Sequence, residues 1–350
     1  MLHPRTLLPL LLCICLASQL SAQKKAKKEL FVPMDYSACG YHASEQAIPN
    51  VPVTVYVAWE EGDCSPVIQQ AIDEVSRQKP DAEGRRGAVL LGEGRFRLEK
   101  PLRISTSGVV LRGMSKTETV LVKHGTDRGA LVYVEGHATR AYGEEKKLAN
   151  ITADKLPAGS CTLHVKGTNL SVGDRITIVR PCTREWINSL KMEDFGGGLD
   201  YTGWKPTDID LRWDRTVTAV TADSISLDAP ITTTISSEFG GAYIIKEDHE
   251  GELAECGIEH LTLESAIDQW TEAEANGGRL NLKDEDHCWD GIYMENVRDG
   301  WVRHVNFRHF AGSVVNLQRH TSRITVEDCI ASEPVSEVGG WRRCVLLTRG

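Results

Sequence analysis

The feature that most constrains this chain is a repeat of about 22 residues near its C-terminal end. The segment 291–296 is echoed at that offset by 313–318, and 324–329 makes a third approximate copy. Between 257–263 and 300–307, matching apolar residues lie two repeats apart. Short β-prone runs repeated at this spacing between Gly and Asn predict a solenoid of stacked strands. Such a solenoid offers one long parallel sheet, which suits the holding of an extended polymer, usually a polysaccharide.

Charge argues against nucleic acid as a partner. The formal net charge is -9, and no cluster of Lys and Arg is long enough to follow a phosphate backbone. The basic run 24–28 is interpreted as a flexible stub.

The N-terminus has the pattern of an export signal. A weakly basic start precedes the apolar run 7–16, and small residues lead to Ala22. This pattern predicts a signal peptide at 1–22. The apolar run is too short to cross a bilayer. We therefore expect a secreted, periplasmic or extracellular protein without a membrane span. We also expect the protein to be a monomer.

Cysteine usage leaves two interpretations open. Eight cysteines follow the predicted signal: Cys39, Cys64, Cys161, Cys182, Cys256, Cys288, Cys329 and Cys344. An even count in an exported protein permits disulfides, whereas buried Cys can also pack as a small apolar residue. The absence of a C-x-x-C pair argues against a zinc site.

A helix and a β-rich run open the first part of the chain, 23–155. Ser65 is a candidate cap, Pro66 lies in the first turn, and apolar residues from Ile68 follow at helical spacing. In the β-rich run that follows, Val89 and Leu111 are again 22 residues apart. We expect the helix to cover the open end of the first coil.

This order of segments resembles the entry to the pectate lyase superfamily. The residues that carry the resemblance are the Ala-Ile helix core, the run 87–96 and the run 108–113, and it resumes from about Glu255 to Thr348. It implies an all-β fold, a single-stranded right-handed parallel β-helix with an N-terminal capping helix. The chain is most similar to exported pectate-lyase-like proteins (the pectate-lyase-3-like type) that carry an inserted β domain.

Between the two halves, 156–246 reads as alternating strands with Gly, Asp and Asn turns. This pattern predicts a small inserted antiparallel β domain. Its aromatic residues, Trp204 among them, could stack on sugar rings or fill the core of the insert. The part 247–350 is expected to hold further β-helix coils, and more coils are expected beyond Gly350.

Three polar clusters on successive coils are the candidate sites. The first contains Asp284, Asp286, His287 and Asp290; the second contains Arg303 and His309; and the third contains Glu333, Glu337, Arg342 and Arg343. An acidic run is usually a solvated surface, but Cys288 and Trp289 interrupt this one and indicate that it is pinned to the body.

Two enzymatic chemistries fit these residues. In β-elimination on a uronate-containing glycan, Asp284, Asp286 and Asp290 would bind Ca²⁺. Arg303 or His309 would then take the ring proton. Substrate carboxylates would pair with Arg342 or Arg343.

In glycoside hydrolysis, two of Asp286, Asp290, Glu333 and Glu337 would be the paired carboxylates. The pectate lyase and polygalacturonase catalytic motifs are missing from the sequence, so no catalytic residue is transferred from either family. A non-catalytic glycan-binding β-helix is the alternative from another class.

Overall fold

The computed structural model describes residues 32–137, 146–194, 196, 203–206, 210–246, 249–267, 272–274, 280–282, 286–335 and 346–348. Contacts divide the chain into two compact units. The β-helix unit comprises Tyr36–Glu145 and Glu247–Gly350, and the antiparallel unit is built around Lys146–Lys246. The predicted signal peptide lies outside the described residues.

The helices and strands are numbered along the chain. The helices are α1 (Ser65–Ser76) and α2 (Arg184–Ser189), with 3₁₀ turns at Tyr41–Ser44 and Ser237–Phe239. The strands before the insert are β1 (Val53–Val57), β2 (Gly87–Leu91), β3 (Gly94–Leu98), β4 (Leu102–Ile104), β5 (Val109–Gly113), β6 (Thr119–Lys123) and β7 (Ala130–Glu135). Those of the antiparallel unit are β8 (Lys147–Asn150), β9 (Lys155–Leu156), β10 (Thr162–His164), β11 (Arg175–Arg180), β12 (Leu211–Val220), β13 (Ser224–Leu227), β14 (Ile235–Ser236) and β15 (Tyr243–Ile245). The remaining strands are β16 (Leu253–Ala254), β17 (Gly257–Ser265), β18 (Glu272–Glu274), β19 (Leu280–Leu282), β20 (Asp290–Glu295), β21 (Val297–Arg308), β22 (Val315–Leu317), β23 (Ser322–Glu327), β24 (Ile330–Ser332) and β25 (Leu346–Thr348).

Three stacks of parallel strands form the β-helix unit. Face 1 stacks β1, β2, β5, the first half of β17, the middle of β21 and β23. Face 2 stacks β3, β6, the second half of β17, the end of β21 and β24. Face 3 stacks β4, β7, β20, β22 and β25. The predicted fold class, a parallel β-helix with an N-terminal helix and an antiparallel insert, is therefore confirmed.

The strand register on face 1 confirms one of the two predicted offsets. Val89 pairs with Leu111, at the predicted offset of one repeat. Ile258 and Val302 are direct partners on successive coils, one coil apart and not the predicted two, because the residues between them include the additional strands β18 and β19. All four side chains are buried in one continuous core. The repeat thus reports the stacking of apolar side chains inside the coils.

On face 3 the predicted offset of 22 residues is wrong by one. Ile292 pairs with Val315 and Met294 with Leu317, so the offset is 23. Side chains alternate along a strand, and a slip of one residue exchanges the inner and outer sets. The predicted offset would have brought the Asn316 amide beside Met294 in the core, which the observed register avoids.

Helix α1 buries one face against the first coils. The buried residues are Ile68, Ala71, Ile72 and Val75, as the helical spacing predicted. Its N-cap residue is Cys64 and not the predicted Ser65. The Ser65 hydroxyl instead donates to a carboxylate oxygen of Asp63 and accepts the backbone N–H of Glu99. Ser65 therefore ties the start of the helix to the end of β3.

Single residues in the left-handed backbone conformation turn the chain between faces 1 and 2. They are His260, His304 and Asp328, with φ of 58°, 53° and 51°. The rings of His260 and His304 stack with centroids 4.7 Å apart, and His304 Nδ1 lies 3.7 Å from an Asp328 carboxylate oxygen. Asn, Asp and His adopt this conformation more readily than other non-Gly residues, which explains polar residues at these corners.

Stability should fall as the pH drops below about 6.5 because of His260. Burial lowers the pKa of His260, and the charge of His304 acts in the same direction, against the opposite effect of Glu259. The unfolded chain therefore binds this proton more tightly than the folded protein. As a result, the free energy of unfolding decreases as the pH falls through the unfolded-state pKa of about 6.5 toward the lower folded-state pKa. We expect His260→Asn to flatten this decline between pH 7 and 5, measured by denaturant unfolding. His320→Asn, the same change at another left-handed corner, is the control, and an undiminished slope in His260→Asn would contradict the assignment.

The antiparallel unit has a six-stranded sheet in the order β10-β13-β12-β11-β15-β8. Its own core includes Ile176, Ile178 and Trp213. The unit begins before the predicted boundary at 156, because β8 pairs with β15 and so belongs to this sheet.

Two further expectations concern the cysteines and the membrane. No disulfide joins the seven cysteines within the described ranges, and Cys64, Cys182, Cys256 and Cys288 are buried. For these four buried residues, packing as small apolar side chains fits better than the formation of disulfides. Neither helix in the described part of the chain has the length and apolar character to cross a membrane.

Candidate functional site

The first predicted cluster divides between surface and core. Asp286 is 64% exposed and accepts a hydrogen bond from Arg128 Nη2 at 2.8 Å, a surface ion pair of small energetic value. His287 is buried, with Nδ1 2.7 Å from Ser265 Oγ and Nε2 3.1 Å from the carbonyl oxygen of Val335. The carbonyl can only accept, so Nε2 carries the proton and Nδ1 accepts from the serine. Both ring nitrogens of His287 thus hold the loop in place.

Asp290 organises the start of β20. One carboxylate oxygen accepts the backbone N–H of Ser313 and the other accepts from Asn316 Nδ2, each at 2.8 Å. Asp284, the third member of the predicted Ca²⁺ site, lies outside the described residues. In the part of the chain that the structure describes, no three His, Cys, Asp or Glu side chains are grouped to hold a metal.

Arg303 lies on face 1, where the segment before β1 covers it. Its Nε donates to Glu259 at 2.6 Å, and Nη2 donates to the carbonyl oxygen of Pro49 at 3.1 Å. Glu259 is fully buried and also accepts from Arg112 Nε at 2.5 Å and Trp301 Nε1 at 2.9 Å. The geometry gives Arg303 a role in packing and leaves its guanidinium no open approach for a substrate proton.

His309 and Glu333 meet at the corner after face 2. His309 Nε2 lies 3.1 Å from a Glu333 carboxylate oxygen, and both residues have left-handed backbone, with φ of 65° and 52°. Glu333 is 69% exposed. The two residues lie 24 positions apart, which is one coil, because they occupy the same corner on successive coils. The other members of the third cluster, Glu337, Arg342 and Arg343, lie outside the described residues.

Trp204 belongs to the antiparallel unit and is half-buried. Its ring lies against Trp186, with centroids 5.7 Å apart and planes at 36°. Trp213, by contrast, fills the core of the unit, where its Nε1 donates to Thr232 Oγ1 at 2.8 Å.

The richest outward surface is one that the sequence analysis missed. On face 3, Arg103, Tyr133 and Tyr293 are register neighbours on successive coils. The guanidinium carbon of Arg103 lies 4.3 Å from the Tyr133 ring centroid, and the two tyrosine rings are 5.4 Å apart at 48°. Together with Glu135 and Glu295 these residues are called the face 3 stripe.

Two carboxylates flank the aromatic rings of the stripe. Glu135 and Glu295 are also register partners on neighbouring coils. Arg103 Nη1 donates to Glu135 at 2.6 Å, and the Tyr293 hydroxyl donates to Glu295 at 2.6 Å. Burial and the hydrogen bond to Glu295 raise the pKa of Tyr293, so its hydroxyl stays protonated. The stripe therefore combines ring faces, one cation and two carboxylates with different partners.

A pattern in the sequence could have revealed these residues. Each of the strands β4, β7 and β20 contains one polar or aromatic residue between two buried apolar ones, as in Val132-Tyr133-Val134 and Ile292-Tyr293-Met294. Once the strands are stacked, the middle residues form a ladder on the outside. Of the predicted site residues, Asp290 starts a strand of this face, whereas Arg303 lies on face 1.

Comparisons with known proteins find similar solved structures but no matching family. No family model matches the chain, and no curated protein matches it. Among solved structures it is similar to the tailspike protein of Pseudomonas phage LKA1, with 14% identity over 76% of this chain and a TM-score of 0.36. It is also similar to the A-module of an Azotobacter vinelandii mannuronan C-5 epimerase, with 12% identity over 78% and a TM-score of 0.30. The third is the catalytic unit of an α-1,3-glucanase from Streptomyces thermodiastaticus, with 11% identity over 82% and a TM-score of 0.30. The chain spans 39%, 47% and 33% of the lengths of these structures.

Proposed function

We propose that this chain binds a polysaccharide along face 3 and cleaves it there. The observation that carries the proposal is the face 3 stripe. Tyr133 and Tyr293 offer ring faces on neighbouring coils, and a glycan running across the coils meets one after the other. Glu135 and Glu295 can accept hydrogen bonds from sugar hydroxyls beside those rings. Export, a monomeric state and kinship with the pectate lyase superfamily belong to the same proposal.

Hydrolysis is the reaction that the geometry supports best. Glycoside hydrolysis needs one carboxylic acid to protonate the leaving oxygen and one carboxylate to act as base or nucleophile. Glu135, which accepts a hydrogen bond from Arg103 Nη1, is one carboxyl group of this pair. Glu295, which accepts a hydrogen bond from the Tyr293 hydroxyl, is the other. These two differ from the carboxylates that the sequence suggested.

Register supports a retaining mechanism for this pair. Neighbouring strands are about 4.8 Å apart, and Glu135 and Glu295 are direct register partners. Carboxyl groups about 5–5.5 Å apart form a covalent glycosyl intermediate, whereas inverting enzymes hold theirs about 6.5–9.5 Å apart to admit a water. The first anomer released by a retaining enzyme has the configuration of the substrate linkage, which NMR of fresh product detects.

β-Elimination on a uronate glycan is the second candidate. It needs a cation that neutralises the substrate carboxylate, and Arg103, the cation of the stripe, is already paired with Glu135. The predicted Ca²⁺ ligands Asp284, Asp286 and Asp290 would have to supply that charge. A non-catalytic glycan-binding role is the third.

Incubation with a panel of neutral and uronate polysaccharides tests the proposal. New reducing ends without ultraviolet absorbance are the expected result. Growing absorbance that a chelator abolishes would establish elimination and overturn hydrolysis. Saturable binding without new reducing ends would support only the non-catalytic binding role. The absence of both binding and cleavage across the panel would refute the proposed function.

A further inference from the structure

The antiparallel unit contains a buried arginine, two of whose guanidinium nitrogens have no acceptor among the described residues. Arg180, the last residue of β11, is 2% exposed. Its Nε and Nη1 atoms are buried and form no hydrogen bond with the part of the chain that the structure describes. Buried donors in native proteins are almost always paired, because a lost hydrogen bond to water must be replaced. Arg180 therefore requires an explanation.

A second arginine of the same unit shows how a guanidinium is normally satisfied. Arg215 donates from Nε to the carbonyl oxygen of Ala229 at 2.9 Å, from Nη1 to that of Asp214 at 2.8 Å and from Nη2 to that of Pro230 at 2.5 Å. All three nitrogens of Arg215 thus have acceptors. The backbone of this unit can supply acceptors to an arginine, but within its described residues it supplies none to Nε and Nη1 of Arg180.

The ring of Trp186 lies over the guanidinium of Arg180, and a second tryptophan packs against Trp186. The guanidinium carbon of Arg180 lies 4.3 Å from the ring centroid of Trp186, and Trp186 packs against Trp204. Both rings are half-buried, so each keeps some surface toward solvent. Burial lowers the pKa of Arg180, against a smaller opposite effect of Cys182.

We propose that Arg180, Trp186 and Trp204 form a subsite for the carboxylate of a sugar acid. A guanidinium is the side chain that best matches a carboxylate in charge and planar geometry. The indole faces beside it can take the sugar ring. This site lies in a different unit from the face 3 stripe and does not depend on any cleavage there. It gives the insert a role of its own, the selection of uronate-containing glycans.

Calorimetric titration of the whole chain at low salt tests this subsite. The probes are α-1,4-linked digalacturonate and the neutral α-1,4-linked digalactose, which differ only at the carboxylates. We expect digalacturonate to bind at least tenfold more tightly than digalactose. Arg180→Met should weaken digalacturonate binding at least tenfold, and Arg180→Lys, which keeps the charge but loses the planar group, should weaken it several-fold. Arg175→Met, on the same strand, should change it less than twofold.

Two results would overturn the subsite. One is equal affinity of the parent protein for both disaccharides, and the other is parent-like binding by a folded Arg180→Met. Circular dichroism shows whether Arg180→Met is folded. If it is not, the side-chain ¹⁵N resonance of Arg180 in the parent protein provides the test, since digalacturonate should shift this resonance and digalactose should not. Tyr133→Ala with Tyr293→Ala removes the face 3 platform and should leave this uronate-dependent shift unchanged. That variant separates a failure of the subsite from a failure of the proposed function.

Discussion

Replacing Glu259 by alanine should destabilise the β-helix unit by about 3–5 kcal/mol, the usual effect of removing one partner of a buried ion pair. Glu259 is fully buried between Arg112 and Arg303 and also accepts from Trp301. Burial alone would raise the pKa of Glu259, but the two guanidiniums hold it below its usual value. Without the carboxylate, two buried cations would face each other across an empty space. Urea unfolding followed by circular dichroism measures the change.

A surface pair provides the matched control for that substitution. Arg97 and Glu99 form an ion pair at 2.6 Å, but both side chains are about half exposed. Glu99→Ala should therefore cost less than about 1 kcal/mol. Equal losses for Glu259→Ala and Glu99→Ala would show that the buried network on face 1 does not stabilise the fold as argued.

The second large effect concerns cleavage on face 3. Glu135→Gln and Glu295→Gln should each lower kcat roughly 10²- to 10⁴-fold, the range that a positioned acid or base contributes. Glutamine keeps the size and hydrogen bonding of the side chain but cannot exchange the proton. Initial rates of reducing-end formation on the glycan selected from the panel measure this, and substrate binding should change much less than kcat.

Glu99→Gln is the control for these variants, since Glu99 lies away from the stripe. Asp290→Asn provides a comparison with the residue suggested by the sequence. If Asp290→Asn abolishes cleavage while both glutamine variants on the stripe keep parent-like rates, the catalytic pair assigned here is wrong and the first polar cluster is the site.

The apolar repeat made most of the fold predictable. Val89 and Leu111, like Ile258 and Val302, must stack inside successive coils, so their spacing survives in the sequence. The slip of one residue on face 3 was not visible, because Asn316 follows two valines and either register looks apolar at its start. Coil lengths vary, since partners on face 3 such as Leu102 and Val132, Ile292 and Val315, and Val315 and Leu346 lie 30, 23 and 31 positions apart. Only the three-dimensional stacking decides the register.

The candidate site was harder to predict for a physical reason. Clusters close in sequence pointed to Arg303 and His287 as site residues, yet these side chains turn to the buried partners Glu259 and Ser265. The stripe is instead assembled from strands on both sides of the insert, with Tyr133 before it and Tyr293 after it. Residues brought together only by stacking leave no local motif.

Titration of the selected glycan into the variant with Tyr133→Ala and Tyr293→Ala tests the central claim most directly. Tyr56→Ala is the control, because Tyr56 is 61% exposed on β1 of face 1. Loss of the two ring contacts should weaken binding at least tenfold, while Tyr56→Ala should bind like the parent protein. A folded double variant that binds the glycan as tightly as the parent protein would show that the polysaccharide does not lie on face 3.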